Sequence, residues 1–252
     1  MKTALITGAT SGIGKEFALQ LANRGYRLII CGRRVERLEE LKSQVSVPVE
    51  IIQVDLSKKK ECFGLIEQLK EENIDVFINN AGFGLAGSFL ETDIKREVSM
   101  IKVNDVAMHI LFKGMLQNMQ EAGEGHIINV ASSAGLLPGG PYMAGYYASK
   151  AYMVSLTRAV AVELKEIGSN VRVSALCPGP VDTEFNENAN VVFALKGISA
   201  KQCATEALKG MDRNKLIIVP SFRMKLATTF SHLVPYPILV KLTGRQQKKK
   251  LG

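Results

Sequence analysis

Thr3-Ala4-Leu5-Ile6-Thr7-Gly8-Ala9-Thr10-Ser11-Gly12-Ile13-Gly14 begins as a short apolar run, turns through three glycines, and leads at once into the helical spacing of Ile13 to Arg24. A strand that turns on glycine into a helix offers the free N–H groups of the helix N-terminus and lets the backbone approach a pyrophosphate closely. The spacing is G-x-x-x-G-x-G rather than G-x-G-x-x-G. By itself such a turn suits a structural role as well as a dinucleotide site.

Outward from the turn, short strand-like runs alternate with longer helical patterns. Ala4 to Ile6, Leu28 to Cys31, Val49 to Val54, Val76 to Ile78, His126 to Val130, Val171 to Leu176 and Leu216 to Val219 read as strands, apolar nearly throughout. Between them, Ile13 to Arg24, Val35 to Val45, Lys58 to Glu71, Ile94 to Gln120 and Tyr146 to Ile167 carry apolar residues at helical spacing. Strands apolar on both faces require a parallel sheet covered by helices. The expected fold is α/β: a doubly wound, seven-stranded parallel Rossmann-type sheet with helices on both faces. No linker or repeat divides the chain, so residues 1–252 read as a single domain, with a substrate cap over 184–211 and a basic amphipathic segment over 213–252.

The composition, 46% hydrophobic and 22% charged, excludes collagen-like, disordered and disulfide-scaffold classes. Cys31, Cys62, Cys177 and Cys203 form no Cys-x-x-Cys pair, and His109, His126 and His232 lack a second ligand at a suitable spacing, so no metal site is expected. Widely spaced thiols fit a reducing, cytoplasmic compartment. The 32 Lys and Arg against 24 acids give a net charge of +8, and the excess is local: nine bases and no acid follow Asp212. No module able to enter a nucleic-acid groove accompanies them, so no nucleic-acid partner is expected. The apolar run before the glycine turn is too short for a signal core, and no stretch is long enough to span a bilayer. The chain reads as soluble or at most peripheral. Phe222, Leu226, Phe230 and Leu233 stand at helical spacing ahead of Pro235 and Pro237. That segment reads as a helix over the substrate cleft or against a neighbouring subunit, with a membrane-surface anchor as the second reading.

The second strand bears on the choice of nucleotide. An NAD site places Asp or Glu near its end to accept from the ribose 2′-hydroxyl. Here the chain reads Cys31-Gly32-Arg33-Arg34, with two guanidiniums suited to a phosphate, which favours NADP. Asp55, followed by Leu56 after the third strand, accepts from the adenine amino group or caps the helix that follows. Further on, Tyr146-Tyr147-Ala148-Ser149-Lys150 opens a helix, so Lys150 lies on the same face as either tyrosine. A nearby ammonium is expected to lower a phenol from its usual pKa near 10 by about one to three units. Ser132 and Ser133 follow a strand and reach the carboxyl edge of the sheet, where ligands bind in such folds.

These residues resemble the short-chain dehydrogenase/reductase family. Thr7-Gly8-x-x-x-Gly12-Ile13-Gly14, Asn79-Asn80-Ala81-Gly82, Ser133, Tyr146-x-x-x-Lys150 and Pro178-Gly179 occur in the family's order and spacing over about residues 1–185. The resemblance implies Tyr146 as the acid/base, four before Lys150, and Ser133, thirteen before Tyr146, as the serine that orients the substrate oxygen. It adds Asn104 as a fourth catalytic residue that holds a water beside Lys150. Cofactor contacts are implied for Gly8, Thr10, Ser11, Gly12, Ile13, Gly14, Arg33, Arg34, Asp55, Leu56, Asn80, Ala81 and Gly82, and for Tyr146, Lys150, Pro178, Gly179, Val181 and Thr183. Ser11 departs from the pattern, because NADP-preferring members often carry a base there. The implied reaction is hydride transfer between NADP and a ketone or secondary alcohol.

Leu136, Leu137, Pro138, Pro141, Phe185, Phe193 and Phe83 make candidate pocket walls apolar, with no charge cluster for a sugar phosphate. A hydroxysteroid, a 3-oxoacyl thioester or another apolar ketone fits such walls. The long helices Ile94 to Gln120 and Tyr146 to Ile167 are where relatives of this kind form dimers or tetramers. The competing classes are a non-catalytic NADP(H)-binding sensor and a membrane-surface scaffold. A sensor would be marked by loss of the tyrosine or the lysine, and both are present.

Overall fold

The computed structural model describes residues 1–185, 197–231 and 233–248. Its strands are β1 (Thr3–Thr7), β2 (Arg27–Gly32), β3 (Val49–Gln53), β4 (Val76–Asn79), β5 (Gly125–Val130), β6 (Val171–Leu176), β7 (Val181–Asp182), β8 (Ile198–Ser199) and β9 (Ile217–Ile218). Seven of them form one sheet in the order β3-β2-β1-β4-β5-β6-β9, and every neighbouring pair is parallel. β7 and β8 pair separately, also in parallel. The helices are α1 (Gly12–Asn23), α2 (Val35–Ser43), α3 (Lys59–Gln68), α4 (Ile94–Ile101), α5 (Met108–Ala122), α6 (Ala144–Glu166), α7 (Ala200–Asp212), α8 (Phe222–Ser231) and α9 (Tyr236–Lys248).

The apolar strands supply both faces of this sheet. Because side chains alternate along a strand, Leu5, Ile29, Phe77 and Ile127 enter one core with residues of α3, α5 and α6. Their neighbours Ala4, Ile6, Leu28, Ile30, Ile78 and Ile128 enter the other, with residues of α1, α2 and α7. The strand order reverses at β1, which lies between β2 and β4. A crevice opens outside the carboxyl ends of strands at such a point. The predicted helix over Ile94 to Gln120 is α4 and α5 joined by a π-helical segment, Lys102–Ala107. Buried amides tie this layer to the sheet: Asn79 Nδ2 donates to the Met108 carbonyl (3.1 Å) and to Asn129 Oδ1 (3.0 Å), and Asn129 Nδ2 donates to Thr157 Oγ1 (3.0 Å).

The expected cap over 184–211 needs correction at its C-terminal end. Residues 186–196, including Phe193, lie outside the described residues. Ala200–Asp212 is no cap but α7, and its small buried face of Cys203, Ala204 and Ala207 packs with Phe17, Ala18 and Leu21 of α1.

His126 on β5 is buried, and its Nε2 lies 2.8 Å from Ser174 Oγ on β6. The Ser174 hydroxyl donates to the Lys215 carbonyl (2.7 Å), so the network assigns the imidazole proton to Nε2. Burial, with the Arg172 charge second, pushes His126 down to about 4 from its ordinary 6.5. Its folded-state pKa is depressed, so its contribution to stability is complete above pH 6.5 and lost as pH falls toward 4. His126→Gln, which keeps a donor for Ser174, is expected to show a smaller fall in denaturant midpoint between about pH 7.5 and about pH 5 than the wild type. Equal falls in the two proteins would remove His126 as an acid-sensitive element.

Candidate active site

The glycine turn is built by close backbone approach. Gly8 and Gly12 sit in the left-handed region, at φ +66° and +55°, and a Cβ on Gly14 would overlap the Gly8 carbonyl oxygen. The turn is locked to the Asn80-Ala81-Gly82 segment after β4. Thr7 Oγ1 accepts from the Asn80 and Ala81 N–H groups (3.0 and 3.2 Å), and Asn80 Nδ2 donates to the Thr7 and Gly8 carbonyls (3.0 and 3.1 Å). Asn80 thus acts as a clamp on the turn. A Cβ on Gly14 would also stand 2.6 Å from Asn80 Nδ2, so the helix start, the turn and the clamp fit only without it.

At the end of β2, Gly32 stands where an acid would recognise a ribose diol, and a Cβ there would come 2.8 Å from Thr10 Cγ2. Arg33 lines the cleft and forms no ion pair among the described residues. Arg34 is engaged, donating to Thr10 Oγ1 (2.9 Å) and to Glu184 Oε2 (3.3 Å). Glu184 also accepts from Arg37 (2.6 Å), a guanidinium the sequence reading had not considered. Asp55 Oδ1 accepts from the Ser57 N–H and hydroxyl (3.0 and 2.8 Å) in a turn ahead of α3, whose N-cap is Lys58, so Asp55 does not cap that helix, and it lines the cavity. Thr183 packs its methyl over Gly12, and Met224 of α8 closes against Gly179.

One cavity of about 820 Å³ runs from Arg33 past the glycine turn to α6. Tyr146, Lys150, Ser132 and Ser133 all reach it. Lys150 is 4% exposed, its Nζ donates to the Val130 carbonyl (3.0 Å), and it lies 5.8 Å from the centre of the Tyr146 ring. Burial lowers Lys150 to about 8, with Asp105 opposing the shift. Burial also pushes Tyr146 up to about 12, with the Ser132 hydroxyl opposing. The expected lowering of the phenol is therefore reversed. Both groups are desolvated, and the ammonium spends a hydrogen bond on a main-chain carbonyl.

Both adjacent serines line the cavity. The Ser132 hydroxyl caps the following 3₁₀ turn by accepting from the Ala134 N–H (3.1 Å). Ser133, picked by the spacing of thirteen, begins that turn and is held through its N–H on the Pro178 carbonyl (2.8 Å). Asn104 is fully buried in the π-helical segment. Its Oδ1 accepts from the Phe83 N–H (3.0 Å), and its Nδ2 donates to the Phe83 carbonyl (2.9 Å) and to Ser149 Oγ (3.2 Å). Gly82 leaves the room for this, because its Cβ would lie 2.9 Å from Asn104 Oδ1 and 3.5 Å from Lys150 Nζ.

The wall around Tyr146 is apolar, with Met143, Phe83 and Phe185, the last with its ring 5.6 Å away. Asp93, Lys95 and Arg96 from the start of α4 also line the cavity, charges the sequence did not place among the apolar walls. Leu136 turns away into the core beneath the sheet. The residue most clearly missed is Gln247. α9 folds back over the loop after Leu137: Thr243 Oγ1 donates to the Gly139 carbonyl (2.9 Å), and Gly244 packs on Pro141. Gln247, 5% exposed, then donates from Nε2 to the Tyr147 hydroxyl (2.5 Å) and lines the cavity, with its Oε1 unpartnered. No local pattern links residues a hundred positions apart, so the sequence held no signal for it.

Comparison with known proteins agrees with this geometry. Residues 2–191 match the family model described as short chain dehydrogenase. The chain is 30% identical over 230 residues to 17-beta-hydroxysteroid dehydrogenase 13 of Mus musculus, covering 88% of this chain and 74% of that one. A short-chain dehydrogenase from Sphingobium yanoikuyae in complex with NADPH superimposes with a TM-score of 0.83 at 30% identity, over 92% of both chains. One from Burkholderia phymatum in complex with NAD gives 0.81 at 25%, over 92% of this chain and 93% of that one. The chain belongs to the short-chain dehydrogenase/reductase family of oxidoreductases.

Proposed function

We propose that this protein interconverts a ketone and a secondary alcohol on a substrate with an apolar body, of hydroxysteroid or 3-oxoacyl type, using NADP(H) and Tyr146 as the acid/base. The observation that supports it most is the convergence of Tyr146, Ser133 and Lys150 on the cavity that also receives the glycine turn. Bound NADP(H) supplies or takes up the hydride. Tyr146 gives its phenolic proton to the carbonyl oxygen in reduction and removes it from the alcohol in oxidation. Burial keeps the phenol protonated at neutral pH, which suits the donor role. Ser133 orients the substrate oxygen and shares the charge that develops on it. Lys150 has donors left beyond the one on Val130, and these hold the nicotinamide ribose and steady the tyrosinate as it forms. Asn104, whose Nδ2 hydrogens are both engaged, holds through a remaining oxygen lone pair a water that links Lys150 to solvent.

The glycine cradle and Arg33, which forms no ion pair among the described residues, fit a dinucleotide with a 2′-phosphate, which Arg33 grips with help from Arg34. Exposed Val98, Ile101, Val106, Tyr152 and Val162 on the helices from α4 to α6 support assembly into a dimer or tetramer. The charged rim at Asp93, Lys95 and Arg96 suits a polar group at the far end of the substrate.

Tyr146→Phe is expected to lower kcat/KM for ketone reduction by about 10²–10⁴-fold. Ser133→Ala should cost about 10²–10³-fold, with Ser132→Ala closer to wild type. The reverse order of the two serines would give the role to Ser132. NADPH should outperform NADH, and Arg33→Ala should raise KM for NADPH by about ten- to a hundredfold while leaving NADH unchanged. Equal or better efficiency with NADH would refute the NADP assignment. The reductive rate should hold steady below about pH 8 and fall above it as Lys150 loses its proton. A profile flat to about pH 10 would take the ammonium out of that role.

A further inference from the structure

The two C-terminal helices are amphipathic the wrong way round for a helix on a soluble core. On α8 the buried residues are Thr228 and Ser231, and on α9 they are Thr243, Gly244 and Gln247. At about 100° per residue, the row Phe222, Leu226, Phe230 runs along the side of α8 opposite that buried face. These side chains are exposed, Phe222 by 74% and Phe230 by 59%. Leu233, in the link to α9, is 79% exposed. On α9, Ile238 and Leu242 likewise face away from Thr243 and Gln247, and both are exposed. The bases flank these rows. Arg223 and Lys225 stand on either side of the α8 row, and Lys241, Arg245 and Lys248 follow one another beside the α9 row, all exposed. No acid follows Asp212 to offset them.

We propose that the outer face of α8 and α9 docks on an anionic membrane surface, with the aromatic and aliphatic rows in the headgroup boundary and the bases on acidic headgroups. The charge selects this occupant over a second copy of the chain. A two-fold contact through one patch sets it against itself, and here that would bring five bases on each side together with no carboxylate from the same helices to pair them. Docking is peripheral, since no helix among the described residues is long and apolar enough to cross a membrane. The inner face of α9 forms part of the cavity wall through Gln247, so docking puts the mouth of the cleft at the lipid boundary. That consequence rests on the apolar substrate proposed above; the docking itself does not.

Flotation of the full chain with vesicles of phosphatidylcholine alone, or with about one-third phosphatidylserine, tests this without any substrate. Binding is expected to the anionic vesicles and to weaken with salt. Lys241→Gln/Arg245→Gln should reduce partitioning by about twentyfold. Phe230→Ser/Leu233→Ser should reduce it by more than about tenfold. Both variants should melt with the wild type, because the altered side chains are exposed. A chain that stays unbound to anionic vesicles at low salt overturns the proposal, as does binding that both variants retain. A wild-type oligomer that Phe230→Ser/Leu233→Ser dissociates would also overturn it, and would give the face to self-association.

Discussion

A lysine ammonium buried to 4% exposure is the constraint around which the rest of the site is arranged. A desolvated charge is costly unless hydrogen bonds replace water, and Lys150 meets part of that need with the Val130 carbonyl at the end of β5. Two glycines make the position habitable. Gly82 leaves open space beside Nζ, and Gly135 lets the 3₁₀ turn after β5 rest on the Lys150 carbonyl, where a Cβ would overlap. Burial then acts on two partners in opposite senses, lowering the lysine and raising the tyrosine. The resting site therefore holds a neutral phenol beside an ammonium whose remaining donors face the cleft.

An irregular helix lies beside the buried lysine. A π-helical segment carries Asn104, whose amide is spent on Phe83 and Ser149. π-bulges are rare and concentrate at functional sites, and this one joins the loop after β4 to the helix that bears Tyr146 and Lys150. At the other end of the cleft, the clamp between Thr7 and Asn80 fixes the glycine turn against the same loop. The loop after β4 thus positions the glycine turn and the Tyr146–Lys150 end of the cavity together. Glu184, beside Thr183, reaches back to Arg34 and Arg37 and ties the segment over Gly12 to the helix after β2.

The C-terminal segment divides its work between two faces. Small and polar residues turn inward because they must fit against Gly139, Pro141 and Tyr147. The large apolar residues Phe222, Leu226, Phe230, Leu233, Ile238 and Leu242 are left outside.

What the sequence by itself determined is what depends on local periodicity. Apolar runs of strand length alternating with helical spacing specify a parallel sheet covered on both sides, and all seven strands fall where they were read. The glycine turn and the four-residue step from Tyr146 to Lys150 were legible for the same reason, since neighbours along a turn or a helix face are neighbours in space. Tertiary structure decided the rest. The direction of the Tyr146 shift depends on collective burial, which no spacing reports. The placement of Gln247 beside Tyr147, and of Glu184 on Arg34, follows from helices and loops packed across the fold. Such contacts between residues a hundred or more positions apart leave no periodic trace in the chain.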